Sequence, residues 1–232
     1  MGKGYIYSNQ GSLFGQGDVI GFGSESFQVK EIDRALANQL IVTNHYSKKV
    51  YAATYIHLGV YLDGEISGVL QFGYAMNPAS GGSVVAGTEM DEYLELNRMW
   101  LDDICPRNSE SMALSYAIKY IKRKYPKVKW IQSFADERCG GFGIVYQACS
   151  FDYFGEHDSV FWELDGVVYH NSQMTRGDEK AGPASRFLRE NKDRAISHIL
   201  RQFRYIKFID QREKKNCRLK QMPYPKHYLE GK

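Results

Sequence analysis

The dipeptide Asp63-Gly64 constrains the fold of this chain more than any other feature of its sequence. It separates two runs that are rich in β-branched and aromatic residues, Tyr55 to Leu62 and Glu65 to Tyr74. Asp-Gly favours the positive φ angles of a type I′ turn, whose twist matches that of two antiparallel strands. The sequence therefore predicts a β-hairpin in the first third of the chain.

Helix and strand patterns alternate on both sides of this hairpin. Apolar residues recur at helical spacing from Ile32 through Leu36 to Ile41, and this pattern stops at the polar sequence Asn44-His45-Tyr46-Ser47. The later predicted elements are a strand at 93–101, a helix from 109 to 125, a strand at 128–135, a short helix at 141–149, and strands at 151–154, 160–164 and 167–170. The chain thus combines several strands with interspersed helices.

The two ends of the chain differ from its middle in composition. Residues 1–28 contain seven glycines and scattered aromatic residues, which predicts a loop-like N-terminal arm. Residues 29–175 carry the alternating elements and form the predicted main domain. Residues 176–232 begin with a polar loop and continue with a helix from about Ala184 to Ile209, so we predict a basic helical extension whose tail has a composition compatible with disorder.

Positive charge is concentrated in this C-terminal part. From Ala184 onward there are 14 Lys and Arg against five Asp and Glu, whereas the rest of the chain has 16 against 22. Basic residues here are interleaved with aromatic ones, a combination found on solvated helices and on surfaces that bind a phosphate backbone. The residues predicted to bind nucleic acid are Arg201, Arg204, Lys207, Lys214 and Lys215.

The composition excludes several classes of protein. With 232 residues, of which 43% are hydrophobic and 25% charged, the chain has the composition of a folded globular protein. Its apolar runs are shorter than the roughly 18 residues that span a bilayer, and no signal pattern is visible, so we expect a cytoplasmic protein. The four cysteines form no CxxC pair, which predicts reduced thiols and argues against a zinc ribbon.

Long consecutive segments of the chain resemble known protein families. Residues 93–100 (YLELNRMW) and 143–151 (GIVYQACSF) resemble the fourth strand and a later helix of the Gcn5-related acyltransferases. A narrower match covers residues 33–175 and depends on NHYS at 44–47, YLELNRMWLDD at 93–103, PRNSES at 106–111 and WIQSFADERC at 130–139. Through these segments the chain resembles the Mom family of bacteriophage proteins.

This resemblance implies both a fold and an activity. The implied fold is α+β, with an acyltransferase-like central mixed sheet flanked by helices in residues 29–175 and the basic helical extension behind it. The implied activity is the addition of a methylcarbamoyl group to N6 of adenine in double-stranded phage DNA, which protects the DNA from restriction endonucleases.

Two other functions stay open at this point. One is an acyl-coenzyme A-dependent N-acetyltransferase that acts on a protein or a small amine, and the other is a non-catalytic DNA-binding protein that blocks nucleases by occupancy. The oligomeric state is also open, with a homodimer as one alternative.

Modification of N6 requires an activated donor, removal of a proton from a weakly nucleophilic amine, and extrusion of the base from the duplex. His45, in the turn between a helix and the hairpin, is the candidate base or ligand, and Tyr46 beside it could stack on the extruded base, as could Phe134 and Phe142. Asp136, at the end of a strand, could orient a histidine, act as a base, bind a metal or cap the next turn. Together His45 and Asp136 would offer a nitrogen and oxygen pair suited to iron.

Two more residues are candidates for the catalytic set. Tyr146 matches the acyltransferase tyrosine that reaches the reacting centre, where a phenol can protonate a leaving group, although it also fits an amphipathic core position. Arg98 is charged in the middle of a strand, where burial without a partner is costly. We expect Arg98 to face the ligand cleft or to pair with Glu95 or Asp136.

The loop before the second long helix departs from the acyltransferase pattern. In that superfamily, glycines bring backbone N–H groups close to the pyrophosphate of coenzyme A. Residues 107–112 (RNSESM) contain no glycine, and Glu110 stands where a phosphate would bind, so we expect weak or absent acetyl-coenzyme A binding. Arg107 and Ser109 are the candidate anion-binding residues here, and the alternative is a capped helix with a surface arginine.

Overall fold

The computed structural model describes residues 2–8, 17–139, 141–175, 177, 179 and 182–225. The chain divides into two compact units. The first unit comprises Met1–Ser133, Ile144–Phe154 and Tyr205–Tyr224, and the second comprises Phe134–Gly143, Gly155–Arg204 and Pro225–Lys232. Among the described residues, no helix is long and apolar enough to cross a membrane.

Ten strands and six helices make up the described structure. The strands are β1 (Gly4–Tyr7), β2 (Val19–Gly23), β3 (Phe27–Glu31), β4 (Thr54–Leu62), β5 (Glu65–Gly73), β6 (Tyr93–Leu101), β7 (Trp130–Asp136), β8 (Asp152–Leu164), β9 (Val167–His170) and β10 (Ile196–Phe208). The helices are α1 (Arg34–Asn44), α2 (Gly81–Val84), α3 (Ser109–Lys124), α4 (Ile144–Ala148), α5 (Asn171–Thr175) and α6 (Pro183–Glu190).

The strands are hydrogen-bonded in the order β1-β2-β3-β4-β5-β6-β7-β10-β8-β9. Pairs from β1 to β6 are antiparallel, whereas β6 and β7 are parallel. A mixed sheet together with helices confirms the predicted α+β class. The hairpin is also confirmed, because Asp63 (φ 48°) and Gly64 (φ 91°) both adopt the positive φ angles of a type I′ turn between β4 and β5.

The core of the first unit lies where helices cover the sheet. Helix α3 packs on β2 and β3, and helix α1 packs on β4 and β5. In α3 the buried face includes Ala113, Ala117 and Tyr120, which recur at the spacing of one helix face. On the neighbouring strands β6 and β7, the buried rings of Tyr93 and Trp130 stack with their centroids 4.5 Å apart.

The second unit has a smaller core of its own. Leu164, Tyr169 and Leu188 are buried together, from β8, β9 and α6 respectively. The β8–β9 turn again uses positive φ angles, 51° at Asp165 and 75° at Gly166. Where two separate strands were predicted for residues 151–164, β8 is one continuous strand.

The prediction of a loop-like arm at residues 1–28 is wrong for the described part of this segment. It contains β1 and β2 and the start of β3. The glycines permit close strand contact here: a Cβ atom added to Gly21 would lie 2.4 Å from the backbone oxygen of Val29, and one at Gly23 would lie 2.6 Å from that of Phe27. Residues 9–16 lie outside the described residues.

The prediction of a single helix from Ala184 to Ile209 is also wrong. Helix α6 ends at Glu190, and residues 196–208 form the strand β10, so the C-terminal extension is not helical over most of its length. Arg201, Arg204 and Lys207 recur every three residues and mimic a helix face, but the β-branched and aromatic residues between them favour a strand. The tail beyond residue 225 lies outside the described residues.

Candidate active site

His45 lies in the first unit, at the C-terminal end of α1, and its side chain is buried, with 5% exposed. Its backbone N–H donates to the carbonyl of Ile41, which ends the helix. The Nδ1 atom of the ring lies 3.1 Å from the backbone nitrogen of Ser47 and 2.9 Å from the Ser47 hydroxyl. We call residues 45–51, which lead from α1 toward β4, the histidine turn.

The contact with Ser47 determines which ring nitrogen of His45 carries hydrogen. A backbone N–H can only donate, so Nδ1 must accept, and the Ser47 hydroxyl also donates to it. The hydrogen of the neutral ring therefore lies on Nε2. In this arrangement His45 is a hydrogen-bond donor at Nε2, and it could act there as a base or a metal ligand only after losing that hydrogen.

The ring of Tyr46 covers the imidazole. Its centroid lies 4.2 Å from that of His45 at an interplanar angle of 34°, while 54% of Tyr46 is exposed. An exposed aromatic face next to a buried histidine can stack on a planar ligand. His45 and Tyr46 are thus in contact, and their role in ligand binding stays a prediction.

Arg98, in the middle of β6, is bound to the histidine turn. Its Nε donates to the backbone oxygen of Lys49 at 3.3 Å, and its guanidinium lies 5.6 Å from the centre of the Tyr51 ring. A second donor, Nη1, binds the oxygen of Asn97 at 2.6 Å. These contacts explain how a strand accommodates a half-buried charge, and they give Arg98 a role in positioning the turn.

Tyr146 lies on α4, also in the first unit. Its ring packs against Tyr205 at 5.3 Å and Phe151 at 5.6 Å between centroids. The adjacent Gln147 donates to the Tyr205 hydroxyl at 3.0 Å. Tyr146 is thus half-buried in an aromatic cluster, so its packing agrees with the amphipathic core alternative and leaves its catalytic role a prediction.

A cavity of about 390 Å³ lies beside the N-terminus of α3. It is lined by Asp102, Asp103, Cys105, Pro106, Arg107, Asn108, Glu110, Ser111, Ile144, Val145 and Ala148. Burial, followed by the charges of Asp102 and Glu110, raises the pKa of the Cys105 thiol above its usual value, so this thiol stays protonated at neutral pH.

This cavity does not fit the pyrophosphate of coenzyme A. Three carboxylates line it, against the single guanidinium of Arg107. The net negative charge of this lining would repel a pyrophosphate, which carries two negative charges. Asn108 precedes α3 in a left-handed conformation (φ 70°), and Ser109 is buried with its hydroxyl lacking a hydrogen-bond partner among the described residues. Neither residue makes a side-chain cap to the helix N-terminus, so the alternative of a capped helix is not confirmed by these two side chains.

Asp136 lies in the second unit, at the end of β7, and 7% of it is exposed. Its carboxylate accepts from Nε and Nη2 of Arg138, and its Oδ1 also accepts from the Arg138 backbone nitrogen at 3.0 Å. The backbone contact is the turn cap that the sequence offered as an alternative. The guanidinium of Arg138 also lies 4.1 Å from the centre of the Phe161 ring. The cation that Asp136 binds is therefore held by two neighbours, Asp136 and Phe161.

Two histidines in the second unit lie near cations. Burial and the charge of Arg138 lower the pKa of His170, and burial and the charge of Arg204 lower the pKa of His157. His157 contacts Phe134 edge-on at 5.6 Å, and Arg204 lies 5.0 Å from the centre of that ring. Phe134 therefore already contacts two side chains of the second unit, and both imidazoles favour the neutral form.

Several residues predicted to bind nucleic acid have partners within the protein. Arg201 binds Glu137 through Nε and Nη2 and lies 3.5 Å from Glu156. Lys207 donates to the backbone oxygens of Cys149 and Ser150, at the end of α4. Lys214 pairs with Asp152 at 2.9 Å, while Lys215 is exposed.

Sequence reasoning missed some partners of the candidate residues. Ser47, Arg138 and Tyr51 were not predicted, although His-x-Ser and Asp-x-Arg are spacings that permit contact across a turn. Within the part of the chain that the structure describes, no group of three or more His, Cys, Asp and Glu side chains could hold a metal ion. The predicted iron site therefore stays a prediction, with His45 and Asp136 as its two proposed ligands.

The elements and sites together define an α+β protein with a mixed sheet, a turn around the buried His45 in one unit and an ion pair between the buried Asp136 and Arg138 in the other. The chain belongs to the Mom protein family, whose model matches residues 26–226. It is 50% identical, over 214 residues, to the methylcarbamoylase Mom of Escherichia phage Mu, covering 91% of this chain and 88% of that protein.

Solved acetyltransferases show a weaker likeness. A ribosomal-protein-S5-alanine acetyltransferase from Vibrio fischeri matches with a TM-score of 0.48 and 11% identity, covering 83% of this chain and 98% of the other. An acetyltransferase of the GNAT family from Streptococcus pneumoniae matches with a TM-score of 0.44 and 13% identity, covering 79% and 99%.

Proposed function

We propose that this protein is a transferase that adds a methylcarbamoyl group to N6 of adenine in double-stranded phage DNA and so protects the DNA from restriction endonucleases. Membership of the Mom family and 50% identity to a methylcarbamoylase support this activity. The single observation that carries it is the histidine turn, which combines a buried imidazole of defined tautomer with an exposed aromatic face.

The histidine turn suggests roles for three residues. Tyr46 stacks on the adenine once the base is extruded from the duplex, since its ring is exposed. His45 donates a hydrogen bond from Nε2 to the group that develops negative charge during transfer. Arg98 acts as a positioning residue, because it binds the backbone of the turn at Lys49.

The second unit supplies a carboxylate that is held in one orientation. Asp136 is bound through both oxygens to Arg138, so each oxygen already contacts a cation within the protein. We infer that Asp136 orients Arg138, rather than taking the N6 proton itself. Tyr146 remains a candidate for proton donation to the leaving group.

The donor is proposed to be something other than acetyl-coenzyme A. The acidic lining of the cavity at α3 argues against pyrophosphate binding, and Arg107 is the one cation in it. Titration calorimetry with acetyl-coenzyme A tests this, and micromolar binding that disappears in Arg107→Ala would contradict it.

DNA is the proposed macromolecular partner, and the host cytoplasm is the proposed place of action. Of the candidate phosphate contacts, Lys215 is exposed, and Lys214 is exposed although it pairs with Asp152. Arg201 would have to exchange its ion pairs with Glu137 and Glu156 for a phosphate contact, so its expected contribution to DNA affinity is lower.

Mass analysis of nucleosides from DNA of expressing cells tests the proposed function. We expect a new adenosine derivative with the wild-type protein, and its loss in His45→Ala and in Asp136→Ala, with unchanged circular dichroism. Tight DNA binding without a new nucleoside would instead support the occupancy function, and acetylation of a protein or small amine would support the acetyltransferase function.

A further inference from the structure

Polar side chains stand where the parallel pairing of β6 and β7 ends. The two strands pair over three residue pairs, the last of which places Glu95 opposite Gln132, while β6 continues to Leu101. Gln132 is buried, and Glu95 and Asn97 are half-buried. We call Glu95, Asn97 and Gln132 the amide cluster.

The carboxylate of Glu95 fixes the orientation of both amides. Its oxygens accept from Nε2 of Gln132 at 2.9 Å and from Nδ2 of Asn97 at 3.2 Å. Because a carboxylate can only accept, each amide must present its nitrogen to Glu95 and turn its oxygen elsewhere. Nδ2 of Asn97 also donates to the backbone oxygen of Tyr74 at 3.2 Å, which confirms its assignment.

The two amide oxygens are left without donors. Oδ1 of Asn97 and Oε1 of Gln132 are buried and have no hydrogen-bond partner among the described residues. Buried acceptors of this kind are costly unless a donor reaches them, from water or from a ligand. Two acceptors from adjacent strands, beside a carboxylate that repels anions, suit a ligand that carries N–H groups.

The surroundings keep the cluster rich in acceptors. Burial, then the charge of Glu95, raises the pKa of Tyr51 to about 12, although Arg98 partly opposes this shift. The Tyr51 phenol is therefore neutral at physiological pH and adds no negative charge beside Glu95.

We propose that the amide cluster binds the N–H groups of a planar nitrogen through the oxygens of Asn97 and Gln132. This inference rests on the proposed function, whose reaction contains two such nitrogens: the exocyclic amine of adenine and the amide of the transferred carbamoyl group. Both place their N–H bonds in the plane of an sp² carbon, which matches two acceptors better than a tetrahedral ammonium does.

The first arm of the test asks whether the cluster recognises adenine. The probe is a duplex with one adenine opposite an abasic site, compared by fluorescence anisotropy with the same duplex carrying purine, which lacks the amino group. If adenine is the occupant, the wild-type protein prefers adenine about tenfold, and Gln132→Met and Asn97→Leu lose this preference.

The second arm asks whether the carbamoyl amide is the occupant. In that case the wild-type protein shows no preference for adenine over purine, and the same variants lose at least nine-tenths of the modification in cells at unchanged DNA affinity. Gln71→Met is the matched control, because Gln71 is a buried glutamine with an unpartnered oxygen that binds Asn38 and His57 instead of Glu95. The Gln71→Met variant is expected to keep the wild-type preference between adenine and purine and the wild-type level of modification.

Modification at the wild-type level in Gln132→Met and Asn97→Leu, with no preference for adenine, would overturn the proposal and indicate bound water. Variants are compared only if their melting temperatures lie near that of the control, and Asn97→Ser replaces any variant that unfolds. If wild-type cells contain no modified adenosine, the proposed function fails, while a preference for adenine over purine would still establish the amide cluster as a binding site.

Discussion

Two turns of the molecule have the same hydrogen-bond geometry in different surroundings. In the first unit Nδ1 of His45 accepts from the backbone and hydroxyl of Ser47, at 3.1 and 2.9 Å. In the second unit Nδ1 of His170 accepts from the backbone and hydroxyl of Ser172, at 3.1 and 3.0 Å. Both rings therefore carry their hydrogen on Nε2 in the neutral form.

The surroundings distinguish the two histidines. His45 ends a helix and lies under the exposed ring of Tyr46, while His170 is the last residue of β9, contacts Phe161 edge-on at 5.5 Å and is affected by the charge of Arg138. The local His-x-Ser contact alone therefore does not define an active site. It fixes a tautomer, and the residues around the ring decide whether that tautomer meets a substrate.

Replacement of the two histidines should give the largest difference between these turns. We expect His45→Ala to lower adenine modification by at least a hundredfold, the range of a lost proton-transfer or hydrogen-bond group, while His170→Ala changes it by less than about threefold. Nucleoside mass analysis measures both. Equal losses in the two variants, with intact folding, would remove the distinction between the turns.

Replacement of Ser47 and of Ser172 should give a smaller difference in modification between the two turns, again with the larger loss in the first unit. Ser47→Ala removes the hydroxyl but keeps the backbone N–H on Nδ1, so we expect about a tenfold loss of modification, and Ser47→Thr should restore most of it. Ser172→Ala serves as the control in the second unit and should have little effect. A Ser47→Ala protein with full activity would mean that the backbone contact alone fixes the ring.

The salt dependence of DNA binding compares basic residues of the two units. Replacing Lys215 with Gln should reduce the slope of log affinity against log salt concentration by about 0.9, the contribution of one phosphate contact, whereas Lys214 is paired with Asp152. Arg201→Gln should leave the slope nearly unchanged, because Arg201 is paired with Glu137 and Glu156. A larger change for Arg201 would place DNA against the second unit.

The pH dependence of stability should also differ between the units, although this effect is smaller than those of the substitutions above. His170 and His157 have pKa values lowered from 6.5, so their contribution is present above pH 6.5 and is lost as the pH falls through their folded-state pKa values. Tyr51 and Tyr55 have pKa values raised from 10.0 to about 12, so their contribution is present below pH 10 and is lost between pH 10 and 12.

Hydrogen exchange resolved by segment measures these two effects separately. After correction for the intrinsic pH dependence of amide exchange, acid should first lower protection in residues 155–170, whereas alkali should first lower it in residues 51–62. Acid-induced exchange that begins around Tyr51 would contradict the assignment of the histidine effect to the second unit.

The sequence predicted those parts of the fold whose signals are local. The Asp63-Gly64 turn and the helix that ends at Asn44 depend on neighbouring residues, and both are confirmed. The strand β10 was missed because its hydrogen-bonding partners β7 and β8 lie far away in sequence. Within α1, the apolar pattern included Leu36, which is exposed, whereas Ala37 is buried.

The candidate site was predictable to a similar extent. His45, Tyr46 and Arg98 were found because of their types and positions, but the binding of Arg98 to the histidine turn joins residues 49 positions apart and has no sequence signal. The expectation that Arg107 and Ser109 mark an anion site could not take into account that Asp102 and Asp103 line the same cavity.

The position of β10 has a consequence for the order of events during synthesis. This strand is hydrogen-bonded between β7 and β8, although residues 196–208 emerge after both of them. Until then β7 and β8 present unpaired edges, which are templates for pairing with other chains. A ribosome stalled before residue 196 would therefore leave a nascent chain that depends on chaperones, and slow translation of this stretch should increase aggregation of the newly made protein.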